Sequence, residues 1–129
     1  MPASPIESAA PTVYSEHWKA GDVLDPECPS RVILEHLTSR WGVLVLIVLR
    51  QGTTRFGQLR RAIGIVSERM LAQTLRVLEA DGFVERRALP VLPLHVEYSL
   101  TPSGEEAAAK VQALVDCIKG YRVSSEPRP

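Results

Sequence analysis

Cysteine is scarce in this chain. Cys28 and Cys117 are the only two, far apart, with no spacing that suits a zinc site or a redox CxxC pair. A reducing compartment follows as the expectation. Histidine is as sparse: His17, His36 and His95 are scattered and make no metal-ligating set. Long apolar runs are missing too. The longest, VLVLIVL from Val43 to Leu49, falls far short of the ~20 residues that cross a bilayer. The opening MPASPIESAAPTVYSEHWK lacks the cationic start and apolar stretch of a signal peptide, so a soluble cytoplasmic protein with no membrane partner is expected. Enzyme signatures are also wanting, with no Gly-rich phosphate loop, nucleophile elbow, paired acid and base or metal spacing. No enzymatic activity, cofactor or metal is expected.

Net charge is absent as well, since 15 basic residues balance 15 acidic ones. The distribution is uneven, however. Residues 1–27 carry five carboxylates against Lys19 alone, while residues 55–87 carry seven arginines against four carboxylates, a local net charge of +3. A polarised surface attracts a charged ligand through its local field, whatever the total.

What is present suits one domain: 129 residues, of which 45% are hydrophobic. Residues 1–25, rich in Pro, Ala and Ser and without apolar periodicity, read as a mobile arm, with Tyr14 and Trp18 able to dock it. The ordered domain is expected over 26–121, and the tail 122–129 is expected to fray. Pro29 suits the first turn of a helix over 29–39, in which Val32, Ile33 and Leu37 recur at helical spacing. WGVLVLIVLRQG fits a buried strand or a buried helix; Gly52 as a stop and helical neighbours favour the helix. RFGQLRRAIG is a short helix ended by Gly64, and Ser67 then stands where an N-cap belongs.

On a wheel of 100° per residue starting at Ser67, Leu71, Leu75, Leu78, Met70 and Val77 form one apolar stripe that must face a core. Arg69, Gln73 and Arg76 fall together on the other side, flanked by the small Ala72 and Ala80. That face could lie in a groove. After Asp81-Gly82, FVERR and HVEYSL read as strands joined by a loop containing Pro90 and Pro93. From Thr101 the chain turns helical again, with Ala107, Val111, Leu114, Val115 and Ile118 on one stripe, Cys117 packing near it, and Glu105 and Glu106 suiting the helix dipole.

Helix, helix, short helix, tight connection, amphipathic helix about 67–81, hairpin 83–100 and final helix make a mainly α fold with a small β-hairpin, an α+β winged helix-turn-helix. In such a domain the helix after the turn enters the major groove of double-stranded DNA and the hairpin lies along the flanking backbone. CPSRVILEHLTSRWGVLVLIVLRQGTTRFGQLRRAIGIVSERMLAQTLRVLEADGFVERR followed by PLHVEYSLTPSG closely resembles the HxlR-type transcriptional regulators, winged-helix relatives of the MarR group, from about Cys28 to Tyr121. The resemblance implies a homodimer paired through the first and last helices on a two-fold operator, acting as repressor or activator. Two positions depart from the family pattern: TSRW replaces the usual Gly-Gly-Lys before the tryptophan, and His95 stands where Lys or Arg often precedes VEY.

Arg69 is the expected base-edge reader, bidentate to guanine; Gln73 would read adenine or a neighbour, Arg76 would grip phosphate, and Ser67 would offer a hydroxyl and helix-terminal amides. Thr54, Arg55, Arg60 and Arg61 are expected on the backbone around the short helix, with Arg86, Arg87 and His95 on the wing. Arg86 and Arg87 could instead pair with Glu85 and Glu97. For the helical arginines the plain alternative is a solvated face. Cys28, ahead of a helix N-terminus and near Arg31, is a redox-sensing candidate for an oxidant effector, against the alternative of a packing residue. A small apolar effector between the first and last helices is conceivable. A winged helix can also serve as a protein-binding platform without DNA, for which the apolar wing ALPVLPLHV is the relevant feature.

Overall fold

Proline has no N–H to leave unpaired at a helix start, and Pro29 opens the first helix of the computed structural model, α1 (Pro29–Leu37), with Cys28 at the N-cap. The structure describes residues 23–91, 93 and 95–121. Most of the expected arm, including Tyr14 and Trp18, and the whole expected tail lie outside the described residues. The chain divides into two units, Met1–Ser39 and Arg40–Pro129.

In the first unit α1 stops two residues before its expected end. Thr38 Oγ1 donates to the Leu34 carbonyl at 2.7 Å and Ser39 Oγ to the His36 carbonyl at 2.9 Å, the local competition by which hydroxyl side chains end helices. No α1 residue is buried, and Val32 and Leu34 are exposed.

The second unit holds the core. It starts with α2 (Arg40–Leu49), where the Arg40 guanidinium lies 4.6 Å from the Trp41 ring centroid, a cation–π contact. The ambiguous apolar run is thus helical. Val45, Leu46 and Leu49 are fully buried, with Val43, Ile47 and Val48 half-buried, so packing on nearly all sides outweighs the strand preference of its β-branched residues. Helix α2 packs against α3 (Phe56–Ile63), α4 (Glu68–Ala80) and α5 (Pro102–Gly120). Leu59 of α3, Val66, Leu71, Leu75, Leu78, Val84 and Ala108 complete the buried cluster.

A three-stranded antiparallel sheet takes the place of the expected two-stranded hairpin. Strand β1 (Thr54–Arg55) pairs with β3 (His95–Leu100), which pairs with β2 (Val84–Leu89), in the order β1-β3-β2. β1 has only two residues and so no alternation to betray it. As the central strand, β3 is half-buried along its whole length.

Ser67 caps α4 as expected, its Oγ accepting the Met70 N–H at 3.0 Å. Ser67→Ala should lower stability by about 1 kcal/mol. A urea titration checks this; an unchanged midpoint would mean that water replaces the cap. Two apolar stripes are narrower than the wheels imply. In α4 the leucines take every buried position while Met70 is 44% exposed. In α5 Ala107, Val111 and Val115 are half-buried, but Leu114 and Ile118 are more than half exposed, and Cys117, expected to pack, is exposed too.

Candidate nucleic-acid interface

Helix α3, a short turn and α4 form the helix-turn-helix. The turn starts at Gly64, whose φ of 102° lies where side chains other than glycine are strained. Its N–H donates to the Arg60 carbonyl at 3.0 Å, and Val66 N–H donates to the Gly64 carbonyl at 2.9 Å. Val66 plugs the core, whereas Ile65 is 85% exposed at the tip. The Arg60 guanidinium, expected on a phosphate, is turned to the protein: Nε donates to the Val66 carbonyl at 3.0 Å and Nη1 meets Glu68 Oε2 at 3.4 Å. Arg61 beside it has no hydrogen bond or ion pair to any described residue.

The outward face of α4 agrees with the wheel. Arg69, Gln73 and Arg76 are exposed, and Ser67, Arg69, Met70 and Gln73 line a shallow depression of about 380 Å³. Arg69 is unpaired among the described residues. Arg76 Nη2 donates to Gln73 Oε1 at 3.3 Å, which holds the two side chains side by side and occupies one lone pair that a bidentate contact to adenine would use. The wheel placed Met70 on the buried stripe, and Ile65, ahead of the helix, lay outside it. The short apolar turn Ile65-Val66 carries one residue in and one out, and only the fold tells which.

On the wing, Arg86 and Arg87 are exposed and face Tyr98 and Glu97 across the β2–β3 ladder. No ion pair joins Arg87 to Glu97 among the described residues, and Glu97 Oε2 lies 2.7 Å from His95 Nε2. His95 is only 19% exposed at its side chain and is contacted at both ring nitrogens by Arg55. Arg55 and His95, both expected on DNA, are thus gathered with Glu97 into one cluster joining β1 to β3. Thr54 Oγ1 donates to the Gly52 carbonyl at 2.8 Å and closes the bend into β1. Of the arginines expected on DNA, Arg61, Arg69, Arg86 and Arg87 have guanidinium groups with no hydrogen bond or ion pair among the described residues, and Arg76 keeps donors beyond the one given to Gln73.

Cys28 stands apart, in the first unit. It is 3% exposed, and its side chain makes no capping hydrogen bond. The Arg31 guanidinium points to the Leu24 carbonyl at 3.1 Å and to Glu35 at 3.6 Å. In this conformation the thiol is shielded from a soluble oxidant. No group of His, Cys, Asp and Glu suited to a metal ion occurs among the described residues, and no single described helix is long and apolar enough to cross a membrane.

Comparison with known proteins matches this arrangement. The HxlR-like helix-turn-helix family matches residues 36–126. The HTH-type transcriptional regulator YtfH of Escherichia coli K12 is 59% identical over 105 residues, covering 81% of this chain and 83% of YtfH. The solved structure of the transcriptional regulator YtfH from Salmonella typhimurium superposes with a TM-score of 0.72 at 58% identity, covering 76% of this chain and 88% of that one. The redox regulator HypR in its oxidised form superposes with a TM-score of 0.68 at 33% identity, covering 74% and 98%. With a winged helix-turn-helix whose α4 presents free donors outward, and with these relatives, the chain belongs to the HxlR-like helix-turn-helix family of transcriptional regulators.

Proposed function

We propose that the protein is a homodimeric, sequence-specific DNA-binding repressor of the cytoplasm, with α4 in the major groove and the β2–β3 wing along the adjacent backbone. The observation that carries this reading is the outward face of α4, where Arg69 extends from the first turn a guanidinium unpaired among the described residues, with Ser67, Gln73 and Arg76 on the same face. A guanidinium fork matches the O6 and N7 acceptors of guanine. Arg61, Arg86 and Arg87, exposed and without a side-chain partner among the described residues, suit phosphate contacts on either side of the groove, which fix register without reading sequence.

Dimerisation rests on apolar side chains that the single chain leaves in water. Leu114 and Ile118 lie one turn apart on α5, Tyr121 follows as its C-cap, and the three are 58%, 55% and 71% exposed. A second copy would cover them and place two α4 helices about one turn of DNA, ~34 Å, apart. The double variant Leu114→Lys with Ile118→Lys should run as a monomer in light scattering while keeping the helix content of the parent; a mass equal to that of the parent would remove this interface.

The redox relatives make Cys28 a candidate site for an oxidant effector that opens its turn, as a refinement of the same reading. A protein-docking module is the competing reading, favoured by Val91, 51% exposed on the wing tip between Pro90 and Pro93. Selection of bound fragments from random duplex DNA separates the two. Enrichment of a two-fold motif with half-sites a helical turn apart is expected; a pool with no enrichment favours docking through the wing.

A further inference from the structure

Arg60 and Arg61 sit next to each other on α3, have the same charge and face the same depression of about 360 Å³ with Phe56, Gly57, Gly64 and Glu68. Their surroundings differ. The Arg61 side chain has no partner among the described residues. Arg60 grips the turn from both of its ends: its carbonyl accepts the Gly64 N–H at 3.0 Å, and its Nε donates to the Val66 carbonyl at 3.0 Å in a partly buried hydrogen bond. A third contact, Nη1 to Glu68 Oε2 at 3.4 Å, reaches the first residue of α4. Val66 precedes the N-cap Ser67, so one side chain of α3 bonds on both sides of the residue from which α4 starts.

We infer that Arg60 is a positioning residue for DNA recognition, a latch that fixes the direction in which α4 leaves the turn, whereas Arg61 is the phosphate anchor of this helix. The inference rests on the DNA-binding reading above. Its physical basis is the shape of guanidinium. The fork offers donors in fixed directions, so Nε–H can satisfy a main-chain carbonyl while Nη1 meets a carboxylate. The ion pair to Glu68 is exposed, at 42% and 74% of the two side chains, and contributes little alone. The Val66 carbonyl is the decisive partner. Left without Arg60, the turn would keep only its short Gly64 and Val66 main-chain bonds, and α4 would present Arg69 and Gln73 over a wider range of angles.

Arg60→Lys is the informative variant, because lysine keeps the charge and can still pair with a phosphate but cannot make both contacts. It is compared with Arg60→Ala and Arg61→Ala in the full chain, by amide hydrogen exchange without DNA and by titration of the selected duplex and a scrambled one at several salt concentrations. If Arg60 is a latch, both Arg60 variants speed exchange at residues 66–71. Both also cut the ratio of specific to non-specific affinity by roughly tenfold, while the slope of log affinity against log salt stays at the parent value. Arg61→Ala does the reverse, lowering the slope by ~0.9 with the ratio kept. Unchanged exchange at 66–71 in both Arg60 variants would overturn the latch, as would a slope that falls in Arg60→Ala and recovers in Arg60→Lys. Should the parent not discriminate between the duplexes at all, the DNA reading fails, and the exchange arm still decides whether Arg60 holds the turn.

Discussion

Gly104→Ala is expected to lower the stability of the fold by about 3 kcal/mol, at the upper end of the range for overpacking, although it adds a single methyl group. A Cβ built on Gly104 would lie 1.9 Å from the Phe83 carbonyl oxygen and 2.9 Å from its carbon, with Leu100 Cδ2 at 3.2 Å. The two nearest atoms are main chain and cannot rotate away. That main chain is also tied in place: the Phe83 carbonyl accepts the Thr101 N–H at 3.1 Å, and Phe83 N–H donates to the Leu78 carbonyl at 2.9 Å. Thr101 itself caps α5, accepting from Gly104 N–H at 3.0 Å while donating to the Gly82 carbonyl at 2.6 Å. The glycine therefore sits where the start of α5, the root of the wing and the end of α4 meet. Relief of the clash must push apart the elements that set the wing against the recognition helix, so DNA affinity should fall along with the thermal midpoint. For a domain of this size the loss corresponds to a midpoint lower by roughly 12–20 °C. Gly120→Ala, where a Cβ meets nothing within 4 Å, is the control and should be neutral. A midpoint for Gly104→Ala within a few degrees of the parent would mean that the α5–β2 approach is looser than the geometry says.

Arg69→Ala is expected to cost ~1–3 kcal/mol of specific affinity, roughly 5- to 150-fold, and to relax preference at one position in each half-site. The side chain is exposed, unpaired among the described residues and in the first turn of α4, so its removal leaves the fold untouched and takes away only what it offers to a partner. Arg86→Ala should behave differently, weakening operator and scrambled DNA alike and reducing the salt slope by about one. A fluorescence titration in which Arg69→Ala binds the operator as tightly as the parent would refute the assignment.

Local chemistry made most of the architecture legible. Ser67 announced its helix because a hydroxyl before an amphipathic run satisfies amides that a helix leaves open. Gly64 and Gly82 marked turns, and both adopt positive φ. The 3.6-residue period separated the buried leucines of α4 from Arg69, Gln73 and Arg76. Features set by distant residues were illegible. Arg55 and His95 looked like two free cations, yet pairing of β1 with β3 brings them together with Glu97. Arg60 and Arg61 are alike in sequence, and only the path of the turn turns one inward. Leu114 and Ile118 fit an apolar stripe, but periodicity cannot say whether a stripe meets its own core or a second copy. Met70 lies at the edge of an arc whose true width is set by the neighbours of α4.

Binding of the selected duplex and of a scrambled duplex, followed by fluorescence anisotropy across a range of salt concentrations, bears most directly on the role of the α4 face. The expected result is a preference for the selected duplex of at least ~10³-fold, with affinity for both falling linearly in log salt as phosphate contacts release counterions. Equal affinity for the two duplexes, or retention indifferent to salt, would contradict it.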